Sequence, residues 1–259
     1  MREGPSVRLG ICHHVTLPGT WADAIAAAST LGVEGIELFV RADDLAELDD
    51  PSIVRQARET ARKARLEISS LCLAFLMHVE ARLSDPARRG MAVGQATAGI
   101  RRCAEAGGDM VLIPAFSAQD EPTMDALVAS IRDLVPVAAD LGVRIGVESN
   151  LPAAEVLAML DRIGSPSVVG DYFDMGNAAG RGMDPADEIR LRGSRVARVH
   201  VKGSRGGALD GGTVDLAAVR DALRATGYDG WMLLETSAGD DALANARHNL
   251  AVIRASFPA

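Results

Sequence analysis

Residues 142–150 read GVRIGVESN and residues 168–178 read VVGDYFDMGNA, two short apolar runs that each stop on a carboxylate, Glu148 and Asp174. Two later runs behave alike: RVHVKGS at 198–204 carries His200, and GYDGWMLLET at 227–236 reaches Glu235. Runs of this length read as strands. The longer segments between such runs carry apolar residues at three- and four-residue spacing, as in Met124, Leu127, Val128, Ile131, Leu134 and Val135, or Leu216, Val219 and Leu223, and read as helices with one buried face. Strand and helix therefore alternate, which is the pattern of a parallel sheet covered by helices.

Extending this reading in both directions gives eight strands: Val7–Cys12, Gly35–Phe39, Glu67–Leu73, Met110–Pro114, Arg144–Glu148, Val168–Phe173, Val196–Val201 and Trp231–Glu235. Asp50-Pro51, Asp85-Pro86 and Asp184-Pro185 each place a capping acid before a proline suited to the first helical position, and so mark helix starts. Pro136 falls inside a helix and should kink it. Eight such units can form an open doubly wound sheet or a closed ring. The first strand is followed by Cys12-His13-His14-Val15 and not by a glycine-rich phosphate loop, which removes the main support for a dinucleotide-binding sheet. The expected fold is α/β, a (β/α)8 TIM barrel in which residues 1–259 form one domain, a length typical of that fold.

Composition narrows the partners. Hydrophobic residues make up 48% of the chain and charged residues 24%, enough for a large core and a solvated surface. A net charge of −8 opposes binding to nucleic acid, whose phosphates attract Lys and Arg. Cys12, Cys72 and Cys103 form neither an even disulfide set nor a CxxC pair, which suits a reducing, cytoplasmic setting. No apolar stretch reads as a signal peptide or a membrane span, so neither export nor a membrane is expected.

In a parallel barrel all strand ends open on one mouth, so Glu148, Asp174, His200 and Glu235 should converge there. A carboxylate closing a buried strand is costly to desolvate unless a cation, a proton or hydrogen bonds offset it. Four such groups together point to one divalent metal ion, and three carboxylates with one imidazole suit Mn²⁺ foremost, with Mg²⁺, Co²⁺ or Zn²⁺ as alternatives. His13 and His14 follow the first strand, and His14 is the candidate substrate contact of the pair. Glu37, read as ending the second strand, is expected to bind substrate or to support the metal ligands. Lys202 and Arg205 follow the His200 strand, where a glycine-rich segment, Gly203 to Gly212, reads as a mobile active-site loop, and both are candidate substrate contacts, Arg205 for a distal hydroxyl or a phosphate. The scarce aromatics Trp21, Phe39, Phe75 and Trp231 are expected in the core.

At these motifs, together with GVEGIEL at 32–38, the chain resembles the sugar phosphate isomerase and epimerase superfamily, the xylose-isomerase-like barrels that include ketose 3-epimerases, hydroxypyruvate isomerases and inosose dehydratases. The resemblance covers nearly the whole chain. It implies that Glu148, Asp174, His200 and Glu235 hold the metal, and that Glu148 and Glu235 flank the substrate as acid and base. It also implies a sugar, keto-sugar or polyol substrate and a homo-oligomer, a dimer or tetramer. Many relatives carry His where this chain has Asn177, which can still donate to a substrate hydroxyl, and Asp where it has Gly203. The expected chemistry is proton abstraction beside a carbonyl through a metal-stabilised enediolate, giving an isomerase or epimerase. A dehydratase or lyase of a keto-sugar or inosose shares the first step. Two readings fit less well: a damaged-DNA endonuclease needs more metal ligands and a basic face, and a non-catalytic polyol binder leaves two acid/base carboxylates without purpose.

Overall fold

The structure is a computed structural model that describes residues 7–45, 50–78, 81–118 and 120–257; the side chains of Asp44 and Arg205 also lie outside the described set. Eight parallel strands close into a ring in chain order: β1 (Arg8–Cys12), β2 (Gly35–Phe39), β3 (Glu67–Cys72), β4 (Met110–Pro114), β5 (Arg144–Glu148), β6 (Val169–Asp174), β7 (Val196–Val201) and β8 (Trp231–Leu234). The ring closes where β1 pairs with β8, Arg8 opposite Trp231 through Ile11 opposite Leu234. Around it run α1 (Trp21–Ala28), α2 (Pro51–Ala64), α3 (Arg89–Ala106), α4 (Glu121–Asp140), α5 (Ala153–Ile163), α6 (Met175–Gly180), α7 (Pro185–Arg192), α8 (Leu216–Ala225) and α9 (Ala242–Ser256). The (β/α)8 barrel expected from the alternation is the fold observed. Among the described residues, no helix is long and apolar enough to cross a membrane.

Strand side chains alternate between two cores, as the period of two requires. Ile11, Leu38, Val111, Ile145, Val147, Val199 and Leu234 pack outward in the large cluster shared with the helices. Cys12, Phe39, Cys72, Met110, Leu112, Tyr172, Trp231 and Leu233 form a second, smaller cluster inside the ring. The four aromatics expected in the core are all buried, and the Trp21 indole N–H donates to the Phe39 carbonyl at 3.0 Å.

Caps explain most helix starts. Asp50 and Asp184 accept backbone N–H groups ahead of Pro51 and Pro185. Asp120 forms a capping box with Thr123. Asp85-Pro86 does otherwise: Asp85 accepts the Ala87 N–H at 2.9 Å in a turn, and α3 begins only at Arg89. The short Asp side chain satisfied the turn locally, so it could not cap the helix that follows. Pro136 is carried inside α4, which runs from Glu121 to Asp140 as one element.

Candidate metal centre and active site

The inward set of side chains grows polar toward the C-terminal ends of the strands. On β5, Gly146 and Glu148 face inward; a Cβ at Gly146 would lie 2.6 Å from the Tyr172 ring and 3.0 Å from the Met110 sulfur. That missing methyl admits Tyr172, and Asp174 follows two residues later on the same face of β6. Asp174 is in register with His200 on β7. Glu235 lies one residue beyond β8, its N–H donating to the Val201 carbonyl at 3.0 Å. Glu148, Asp174, His200 and Glu235 are all buried.

His200 is the pivot. Its Nε2 lies 2.8 Å from Glu37 Oε1, and because a carboxylate only accepts, this nitrogen carries the proton. The other nitrogen, Nδ1, is buried without a hydrogen-bond partner among the described residues, 3.3 Å from Glu235 Oε2 and 3.9 Å from Glu148 Oε1. A lone pair facing two carboxylates is unfavourable unless something positive lies between them. In keeping with this, His200 is raised well above its ordinary range: burial alone would lower it, but Glu235, Tyr172, Cys12 and Glu37 outweigh burial.

The donor set fits a metal ion. Ligand atoms of Glu148, Asp174 and His200 all lie within 4.8 Å of one another. Ligands held at about 2.0–2.2 Å from one ion stand roughly 3 to 4 Å apart, the range seen between His200 Nδ1 and the two glutamates. Asp174 Oδ2 is likewise buried without a hydrogen bond, although Lys202 Nζ forms an ion pair with it at 2.6 Å. Counting Glu37, four carboxylates here are ion-paired among the described residues with His200 and Lys202.

Glu37 is not at the end of β2. It is the third of five residues, fully buried, and its oxygens take Ser70 Oγ at 2.7 Å, Tyr172 Oη at 2.6 Å and His200. Burial works against its charge, yet His200, Tyr172 and Ser70 hold it below the usual carboxylate range. It orients the imidazole from beneath and is out of reach of a substrate. An imidazole fixed by a carboxylate on one nitrogen while the other faces a cation site is the common arrangement of metal-binding histidines.

The carboxylates above respond to burial differently. Glu148 is pushed up to about 7 by burial, with Asp174 and Glu235 adding to the rise and His200 opposing it. Glu235 is also raised by burial, against the pull of His200 and Lys202. Lys202 bridges Asp174 and Glu235, its Nζ 2.6 Å from each, so its charge is spent on the two carboxylates and not on the open mouth. Burial would lower the lysine, but Glu235, Asp174 and Glu148 raise it overall. Its stem passes over Gly176, where a Cβ would come within 2.5 Å of Lys202 Cγ. Asn177 serves two of these carboxylates: its backbone N–H caps onto Asp174 Oδ1 at 2.9 Å, and its amide donates to Glu148 Oε1 at 3.1 Å.

A family model described as xylose isomerase-like TIM barrel matches residues 25–256. The chain belongs to that family. No curated protein matches the sequence. Among solved structures, this xylose isomerase-like barrel is similar to D-allulose 3-epimerase from Methylomonas sp. (20% identity, TM-score 0.81, covering 99% of this chain and 100% of that one). It is also similar to 3-keto-D-glucoside 4-epimerase YcjR from E. coli (17% identity, TM-score 0.80, covering 96% and 100%). A third similar structure is an L-ribulose 3-epimerase (19% identity, TM-score 0.82, covering 97% and 94%).

The remaining expected contacts of this xylose isomerase-like barrel distribute as follows. His13 is buried, its Nδ1 accepting the Phe39 N–H at 3.2 Å and its Nε2 donating to the Gly19 carbonyl at 2.9 Å, a structural role. His14 is half-buried at the end of β1 with φ of 70°, its ring 6.3 Å from that of Phe39. The side chain of Arg205 lies outside the described residues. The segment Gly203 to Gly212 is not an open loop: it folds into two short 3-10 turns, Ser204–Gly206 and Leu209–Gly211, with Leu209 buried and its N–H donating to Asn249 Oδ1 at 2.9 Å. Its glycines serve close turning, since a Cβ at Gly203 would meet the Ala208 carbonyl oxygen at 2.7 Å. Tyr172 and Ser70 were missed from the sequence. The available signal was position: Tyr172 stands two residues before Asp174 and so shares its inward face.

Proposed function

We propose that this protein is a divalent-metal-dependent epimerase or isomerase of a sugar or keto-sugar, working by proton transfer at a carbon beside a carbonyl. One observation carries the reading: His200 Nδ1 is buried without a hydrogen-bond partner among the described residues and faces carboxylates, while Glu37 fixes the opposite nitrogen. Glu148, Asp174, His200 and Glu235 would hold the ion, Mn²⁺ foremost. When bound, it would supply Lewis-acid charge to the oxygens of an enediolate.

The chain's own residues account for the proton. A base near neutrality is effective in both directions, and Glu148 sits at about 7. Glu148 takes the proton as the C–H bond breaks and its electron pair moves toward the carbonyl. Glu235, raised by the same burial, returns a proton from the other face, which inverts the carbon. Return by the same carboxylate to the neighbouring carbon would instead interconvert aldose and ketose. Asn177 steadies Glu148, and Lys202 holds Glu235 and Asp174 apart while offsetting their charge.

The test is deuterium exchange in D₂O with a panel of ketoses, keto-sugars and inososes, followed by NMR for metal-loaded protein, EDTA-treated protein and Glu235→Gln. Deuterium beside the carbonyl only in the metal-loaded wild type is the expected result, and product identity then separates epimerase, isomerase and lyase. Absence of exchange with every compound, despite bound metal, overturns the reading.

A further inference from the structure

Beside the carboxylates, on the β3–β4 side of the mouth, lies a cavity of about 320 Å³ lined by Leu76, Met77, Arg82, Pro114, Phe116 and Ser117. Pro114 relates it to the site. Pro114 is the last residue of β4, two positions beyond Leu112 of the interior cluster, so it faces inward; it is in register with Glu148, and the Ala115 N–H donates to the Glu148 carbonyl at 2.7 Å. The cavity therefore flanks Glu148 on the side away from Lys202 and Glu235. Its walls are mixed. Met77 is 48% exposed, one of few large apolar side chains so placed among the described residues. Arg82 is half-buried and donates from Nε to the Met77 carbonyl at 3.3 Å, and among the described residues it has no carboxylate partner. Ser117 Oγ adds a hydroxyl, 2.7 Å from Ser84 Oγ.

We infer that this cavity takes an anionic group, a phosphate or a carboxylate, carried by the sugar at the end remote from its reacting carbons, with Arg82 as the ion-pair partner. The inference rests on the reading under Proposed function and adds the substrate class. A guanidinium fixed through one nitrogen keeps its terminal N–H groups for a planar or tetrahedral anion, and a partly buried site strengthens that pair. Phe116, Met77 and Leu76 cover the intervening carbons. The space is that of a small-molecule subsite.

The experiment compares a neutral ketose with its terminal phosphate and with a keto-uronate, by deuterium exchange and by calorimetric binding, for the metal-loaded wild type, Arg82→Gln and Arg82→Lys. Glycerol phosphate and glycerate are titrated in parallel as probes that undergo no turnover. The expected result is a preference for one anionic sugar over the neutral one, reduced about 10- to 100-fold in Arg82→Gln through KM and partly restored by Lys, with binding of the matching probe following the same order. The phosphate and carboxylate arms identify which anion it is. Equal handling of neutral and anionic sugars by the wild type, or probe binding unchanged by Arg82→Gln, overturns the inference. If no sugar exchanges deuterium, the proposed reaction fails while the Arg82-dependent probe titration still decides the cavity.

Discussion

Replacing Glu37 by Gln isolates the support beneath His200, since it removes one charge and almost no volume. Glu37 is fully buried and uses both oxygens: Oε1 for His200 Nε2, and Oε2 for the hydroxyls of Tyr172 and Ser70. A carboxamide has one acceptor oxygen. If it turns that oxygen to His200, the imidazole keeps its tautomer but loses the charge-assisted bond that raises its basicity. If it turns the NH₂ to His200, Nε2 must accept, the proton moves to Nδ1, and the nitrogen aimed at Glu148 and Glu235 can no longer bind a cation. Either arrangement weakens metal binding. Loss of such a supporting partner costs about 10- to 100-fold in affinity, or roughly 1.4 to 2.7 kcal/mol. Titration calorimetry of Mn²⁺ into EDTA-stripped, dialysed protein at pH 8 measures it, with circular dichroism melting as the check that the barrel is intact. A folded Glu37→Gln protein with a Kd within twofold of wild type would refute the role given to Glu37.

Metal affinity should rise by at least about tenfold between pH 6 and pH 8, because Glu148, at about 7, and the imidazole of His200, raised above its ordinary range, must each lose a proton to act as ligands; calorimetry in buffers of different ionisation enthalpy should register the released protons. The metal-free protein should show the opposite trend. A carboxyl raised from 4.5 to about 7 on folding contributes stability that is full below the lower value and lost as pH rises through the upper one, so the melting temperature should fall across that window, less so in Glu148→Gln. Gly146→Ala should destabilise by about 1–3 kcal/mol in urea, since its methyl would fall 2.6 Å from the Tyr172 ring, and should loosen metal binding by drawing the Tyr172 hydroxyl off Glu37. Arg192→Met should cost about 3–5 kcal/mol, because it leaves buried Asp171 and Glu188 facing each other without the guanidinium that bonds both; near-neutral stability in the variant indistinguishable from wild type would contradict this.

The strands were legible because each is an apolar run with a marked end. Those at Gly35–Phe39, Met110–Pro114, Arg144–Glu148 and Val196–Val201 have the observed limits, and the other four differ by a residue at one end or both. The convergence of Glu148, Asp174, His200 and Glu235 was legible for the same reason: closure carries all strand ends to one side. What lies beneath the mouth was not. Glu37 interrupts an apolar run and so imitates a strand end, and only the closed ring reveals that its neighbour is His200, 163 residues away. Lys202 and Asn177 looked available to a substrate because their partners are distant in sequence. The glycines after Gly203 read as looseness, although here they permit tight turns.

The proposed metal ligands and their support come from opposite arcs of the ring. Glu148, Asp174 and His200 belong to β5, β6 and β7 and Glu235 directly follows β8, whereas Glu37 and Ser70 come from β2 and β3, and Tyr172 spans the interior between them. The second half of the chain thus holds every proposed ligating atom but not the partner that sets the tautomer of one of them. That tautomer is set only once the β1–β8 seam is sewn and the two arcs face each other across the axis. Metal uptake on this account is a readout of ring completion, and a chain still open at the seam should bind the ion weakly even with all four ligands already synthesised.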